Sequence, residues 1–333
     1  MRDEAKSRRR KVVAFVLCAL VLALCVSVEA QQPKKVSRIG YLSLANGPGW
    51  QEEEFLKGLH DLGYVETQNI IVEYRWAAGK IDRLPALAEE LVRLKVELVI
   101  GRTTPVIQAL KSATTTIPIV ILAAADPVRT GFVASLARPG GNITGMSAIM
   151  PELTGKRLEL LRELIPQLSG VAFLLHGADP IYSTYLEEAE EEGKKLRMQI
   201  RPVVIGGPEE IEDAFAAMIK ERAGALIVHA LFINTLGQGK RIADLAVKYR
   251  LPTVSDGIPF ADEGGLIFYG PDQRPLLRQA ATYVDKILKG AKPAELPVQQ
   301  PKKFELVINL KTAKQIGLTI PPNVLARADR GIK

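Results

Sequence analysis

The stretch VELVIGRTTPVIQALKSATTTIPIVILAAADP, residues 96–127, sets the fold class. Its outer parts, VELVIG at 96–101 and IPIVILA at 117–123, are short apolar runs rich in Val and Ile. Between them runs a segment of helical period that opens at Thr104-Pro105. Strand, helix, strand in that order reads as a parallel βαβ unit, and strands apolar at nearly every position are buried on both faces of their sheet. Outward from here the alternation repeats. Further strands are expected at 36–44, 69–76 and 142–148, then in a second series at 170–176, 199–205, 224–230 and 251–255, with later strands at 265–269 and 303–308. Helical stretches fill the gaps, among them 50–62, 81–94, 151–164, 181–197, 208–222, 237–249 and 274–289. Two series of similar spacing predict two α/β lobes of one plan, because roughly 300 residues exceed what one compact core holds.

The amino terminus carries a different message. A basic head, MRDEAKSRRRK at 1–11, runs into an apolar stretch at 12–28 and ends on Val28-Glu29-Ala30, the order of a secretory signal with cleavage expected after Ala30. A retained membrane anchor is the alternative, and Ser7-Arg8-Arg9 leaves the export route open between the general and twin-arginine systems. The destination expected is periplasmic or otherwise extracytoplasmic. Both cysteines, Cys18 and Cys25, lie in this segment. A mature chain without cysteine has no disulfide, no thiolate metal site and no cysteine nucleophile. The first thirty residues hold six Lys or Arg and three Asp or Glu, which leaves 38 positive against 34 negative residues, an excess of +4. That mild excess, without clustering, excludes a nucleic-acid footprint.

A search for chemistry returns little. His60, His176 and His229 are scattered, and neither an HExxH pair nor a Gly-x-Ser-x-Gly elbow occurs in the mature sequence. No metal, no cofactor and no catalytic residue is expected. Three strand ends share another device, a Thr or Asp before Pro: Thr104-Pro105, Asp126-Pro127 and Asp179-Pro180. Each reads as a capped helix start, with partial positive charge and free N–H groups suited to an anion. A doubly wound sheet presents its ligand outside the carboxyl ends of its strands, so two lobes can face each other across a cleft. Ser43 and Asn46, Arg102 to Thr104, His176, His229, Phe232 and Asp256 fall at those ends. Hydroxyls, amides and a few charges and rings suit a small polar ligand.

Long segments then resemble a known family. They include IGYLS at 39–43, TTTIPIVILAAADPVRTGFVASLARPGGNITG at 114–145 and LPVQQPKKFELVINLKTAKQIGLTIPPNVLARAD at 296–329. The family is that of the exported substrate-binding proteins of ABC transporters, in the group of tryptophan/tyrosine-type binders. The resemblance implies the type I periplasmic-binding fold, two doubly wound lobes joined by three crossing strands that act as a hinge. Carried onto this chain, residues 1–30 are the signal peptide, 36–145 plus 257–290 form lobe one, and 146–256 plus 291–333 form lobe two. The family's ligand positions fall on Ser43, Asn46, Thr103, Thr104, Asp126, Ser147, Asp179, His229, Phe232 and Asp256. Thr103 and Thr104 are expected to hold a ligand carboxylate, and Asp126 or Asp256 an ammonium. The implied protein is a monomeric, non-enzymatic receptor that passes an amino acid or related small carboxylate to a membrane permease. A sensing subunit of an envelope receptor and a cell-envelope α/β enzyme are the alternatives.

Overall fold

The computed structural model describes residues 36–148 and 151–333, and Arg38–Lys333 forms one compact unit. The signal-like segment lies outside the described residues. Within them no helix is long and apolar enough to cross a membrane.

Two sheets carry the chain. The first contains β1 (Ser37–Ser43), β2 (Ile70–Trp76), β3 (Leu98–Gly101), β4 (Ile119–Ala124) and β5 (Ile143–Ser147), in the order β2-β1-β3-β4-β5. The second contains β6 (Gly170–His176), β7 (Gln199–Ile205), β8 (Ala225–Val228), β9 (Thr253–Ser255), β10 (Ile267–Pro271), β11 (Phe304–Asn309) and β12 (Arg330–Ile332). Its order is β12-β11-β10-β9-β8-β6-β7. In both sheets the second strand of the chain segment sits outside the first and the third returns past it, which places a switch point beside β1 in one sheet and β6 in the other. The central strands β3, β4, β6 and β8 are buried along their whole lengths, as continuous apolar runs require.

Helices follow the strands: α1 (Trp50–Asp61), α2 (Leu84–Arg93), α3 (Thr104–Ala113), α4 (Thr154–Leu164), α5 (Tyr182–Lys195), α6 (Ile211–Lys220), α7 (Ala230–Asn234), α8 (Gly239–Lys248), α9 (Gln273–Leu288), α10 (Leu310–Ile316) and α11 (Pro322–Leu325). Several bury one stripe. In α8, for example, Ile242, Ala243 and Ala246 face the core while Lys240 and Asp244 pair in solvent.

The resemblance places the strand expected at 265–269 in lobe one, within 257–290. The corresponding β10 instead pairs parallel with β9 and antiparallel with β11, inside the second sheet. Only α9, which packs on α1 and buries Leu277, Ala280, Ala281 and Val284 in the first sheet's core, returns to the first layer. The second passage between the sheets is therefore at Pro271–Gln273, not at Asp256-Gly257. The third follows Gln299, which bridges to Met146 beside β5, and precedes β11. Residues 293–297, near the lobe boundary that the resemblance implies at 290/291, instead run along β5, where Thr144 Oγ1 donates to the Leu296 carbonyl at 2.6 Å.

Candidate functional site

The carboxyl ends of the two sheets line a half-open cavity of about 50 Å³. From the first sheet come Arg102, Thr103 and Thr104 after β3, Ala123 and Ala125 at β4, and Ala148 after β5. From the second come Asp179 after β6, Tyr185 on α5, and His229 and Asn234 around α7, while Gln273 closes it from the start of α9. A wider groove of about 480 Å³ lies at the same pair of edges, between Asn46 and residues 78–82 on one side and His176, Ala178 and residues 206–209 on the other.

The turn after β3 is strained. Thr103 has φ 76° and ψ 148°, backbone that belongs almost solely to glycine, and a β-branched residue there is an outlier. This conformation leaves the Thr103 hydroxyl buried without a protein partner. Thr104 is the first residue of α3 and not its cap, and Thr103 makes no side-chain capping bond. Next to it the Arg102 side chain is buried; Nη2 donates to the Asn234 carbonyl at 3.1 Å and to Thr235 Oγ1 at 2.9 Å. Burial pushes its guanidinium below the ordinary value, opposed by the neighbouring Tyr41 and Glu52.

The opposite wall is built on a carboxylate and an imidazole. Asp179 accepts from the Ile181 amide at 3.2 Å and lies 3.7 Å from His229 Nε2. Burial raises the Asp179 carboxyl above its usual range, with Asp256 adding to the rise and His229 opposing it. His229 presents Nδ1 without a partner, and its ring meets Tyr185 edge-on at 4.6 Å. Burial also pushes the Tyr185 phenol well up, helped by the nearby Asp256 and Asp179. Behind this wall Asp256 faces the buried Arg157 guanidinium at 3.5 Å. Gln273 Oε1 is a further buried acceptor without a protein donor.

The ten residues expected at the ligand do not all meet there. Thr103, Thr104, Asp179 and His229 line the cavity. Ser43 is buried at the end of β1 with its hydroxyl accepting from the Ala45 amide, and Ser147 is buried as the last residue of β5, so both stand behind the cavity lining. Asn46 lines the outer groove. Asp126 opens no helix: its carboxylate accepts from the Val128 and Arg129 amides and closes a turn outside the cavity lining. Phe232 is fully buried in the core, with its ring 5.7 Å from that of His176. Asp256 is held behind the wall by its contact with Arg157. Tyr185 and Gln273 line the cavity from within helices, where a sequence pattern offers only an amphipathic face. Among the described residues no group of three or more His, Cys, Asp or Glu could hold a metal.

Residues 45–332 match the family model described as ABC transporter substrate binding protein. The chain is 25% identical over 291 residues to the tyrosine-binding protein of Clostridioides difficile strain R20291, covering 86% of this chain and 82% of that one. Its fold is similar to the crystal structure of a conserved domain protein from Vibrio cholerae, with TM-score 0.82, 27% identity and coverage of 89% and 100% of the two chains. It is likewise similar to an ABC domain from Streptococcus pneumonia in complex with L-Trp, with TM-score 0.81, 27% identity and coverage of 89% and 99%.

Proposed function

Because this chain belongs to the ABC transporter substrate-binding protein family, we propose that it is the monomeric, non-catalytic receptor that captures an amino-acid-like solute in the cavity between its two sheets and hands it to a membrane permease. Family membership makes it extracytoplasmic, and residues 1–30 are then the segment that exports it. The carrying observation is the set of polar atoms buried at the cavity without protein partners: Thr103 Oγ1, His229 Nδ1 and Gln273 Oε1. Buried polar groups in folded proteins nearly always find a partner, and a polar solute that bonds several of them at once binds in one orientation.

Polarity supports an amino-acid-like ligand. The first-sheet side offers the hydroxyls of Thr103 and Thr104, the start of α3 and a buried cation, and so suits a carboxylate. On the facing side Asp179 suits an ammonium, with Asp256 behind it, and this replaces Asp126 in that role. Relatives described as tyrosine-binding and as bound to L-Trp fit the same class.

Lobe one comprises the first sheet with α9, and lobe two the second sheet. Three passages, after Ser147, at Pro271–Gln273 and between Gln299 and Phe304, form the hinge. A solute touching both lobes stabilises the closed form by its differential affinity for that form, and the permease recognises the closed form.

Thermal unfolding of the purified protein against free amino acids, small carboxylates and sugars tests this. A ligand at about 100 times its Kd adds roughly 2.7 kcal/mol of stability. One class should shift the midpoint and be recovered unchanged after incubation. Turnover of the captured compound would place the protein among enzymes, and a panel without any shift would remove the receptor reading.

A further inference from the structure

We propose that Arg102 is the specificity-determining residue of the cleft: it selects a small solute bearing a carboxylate and keeps aromatic amino acids out. This rests on the receptor reading above and narrows its ligand class.

Charge is the first argument. Arg102 is 6% exposed, and both protein acceptors it uses, the Asn234 carbonyl and Thr235 Oγ1, are neutral. Both bonds start from Nη2, so Nε and Nη1 make no bond with any described residue. No carboxylate among the described residues comes within ion-pair distance of it. Glu52, whose charge it feels, is occupied: Oε1 accepts from Tyr41 Oη at 2.8 Å and Oε2 from the Gly49 amide at 2.8 Å. A buried cation left with neutral partners is unfavourable, and a carboxylate entering the cavity supplies the missing charge through charge-assisted hydrogen bonds.

Size is the second. The two Nη2 bonds run from the first-sheet side to the end of α7 on the other, which ties the side chain across the cleft and stops it from swinging aside. Around it the first-sheet wall is made of Ala123, Ala125 and Ala148, side chains too small to fill the space themselves. With Arg102 in place the cavity measures about 50 Å³. An apolar cavity that takes up one benzene ring measures roughly 150 Å³. A phenol or indole therefore does not fit within this pocket as its side chains stand, whereas a ligand of a few heavy atoms beyond its carboxylate does.

Isothermal titration of the full chain and of Arg102→Ala tests both arguments. The probes are glycine, L-alanine, L-serine and succinate as small carboxylates, L-tryptophan and L-tyrosine as aromatic ones, and ribose and myo-inositol as neutral solutes. The natural protein should take a small carboxylate and ignore the aromatic pair. Arg102→Ala should weaken the small carboxylate roughly 10- to 100-fold and strengthen tryptophan or tyrosine roughly tenfold or more, as charge is lost and space gained. Arg102→Gln keeps part of the bulk and an amide donor without charge; it should lose the carboxylate and admit the rings less well than the alanine variant, and it serves where the alanine variant does not fold. Tightest binding of tryptophan or tyrosine by the natural protein leaves the receptor reading intact and overturns the selector. So does a neutral solute as the best ligand, or carboxylate binding unchanged in Arg102→Gln. Folded protein that binds none of the probes overturns the receptor reading and the selector together.

Discussion

Thr103 shows how one residue can trade stability for a site. Glycine would occupy φ 76° and ψ 148° without strain, yet the chain places a β-branched side chain there and buries its hydroxyl at the cavity. Thr103→Gly should therefore raise the stability of the ligand-free protein by about 1 kcal/mol and weaken the ligand by roughly tenfold, since strain and a hydrogen-bonding group leave together. Chemical denaturation and titration on the same sample check it; a less stable variant with full affinity would show that the turn serves the fold. Asp179 makes a second case. Burial raises its pKa in the folded state, so the fold favours the protonated form. Its contribution is then intact below the ordinary carboxylate pKa of about 3.9 and declines as pH rises toward the raised value. Asp179→Asn should raise the unfolding midpoint at pH 7, have little effect near pH 3, and reduce affinity for a ligand with an ammonium. A midpoint lowered at pH 7 would mean that the His229 contact outweighs burial. Of the cavity residues, those within three residues of a strand end, Thr103, Thr104, Asp179 and His229, are readable from sequence because strand ends are readable. Tyr185 and Gln273 are not, since a Tyr on the buried face of α5 looks like any core residue.

At the scale of elements, strands proved more legible than their punctuation. Continuous Val/Ile runs place most strands within two residues, because a strand buried on both faces admits little else. The shared Asp-Pro and Thr-Pro device misled: Asp126 closes a turn, and α5 starts at Tyr182, beyond Asp179-Pro180. The same local hydrogen bonds satisfy a turn or a helix start, and only the following residues decide. β12, three residues at a sheet edge with two of them exposed, carries no apolar run to announce it. Helix packing gives the sharpest prediction here. A Cβ on Gly58 of α1 would lie 2.5 Å from the Arg278 carbonyl oxygen of α9, a backbone atom that cannot rotate away. Gly58→Ala gains about 1 kcal/mol of helix propensity and loses about 1–3 kcal/mol to overpacking, so a net loss is expected. Gly141→Ala, with nothing within 4 Å of its Cβ, is the control and should be neutral. Equal stabilities would mean that α1 and α9 shift apart freely.

For the whole molecule, the question is what holds the lobes together around the solute. Among the described residues, two kinds of polar contact span the cleft. Arg129 pairs with Glu187 and Glu188 at 2.7 and 3.2 Å, but these side chains are largely in solvent, where such pairs contribute 0–1 kcal/mol and fade with salt. Gln51 of α1 instead is 5% exposed and donates from Nε2 to the Asn234 carbonyl at 2.9 Å, the same acceptor that Arg102 uses. Asn234 is itself tied down, its Oδ1 accepting from the Ile258 amide at 3.1 Å. The carbonyl that ends α7 is thus gripped by two first-lobe side chains next to the cavity, with a cation placed where the helix end is partly negative. A hydrogen bond made only in the closed form favours it by about 1 kcal/mol, which is roughly a fivefold change in the closed-to-open ratio. Gln51→Ala should accordingly lower the apparent affinity by up to about fivefold, chiefly through faster release, while unfolding of the ligand-free protein changes little because the bond is absent whenever the lobes part. Small-angle scattering should find the ligand-free variant more extended than the natural protein, and the two alike once saturated. Matching affinity and matching scattering in both states would show that closure does not depend on this grip, and that the solute alone draws the lobes together.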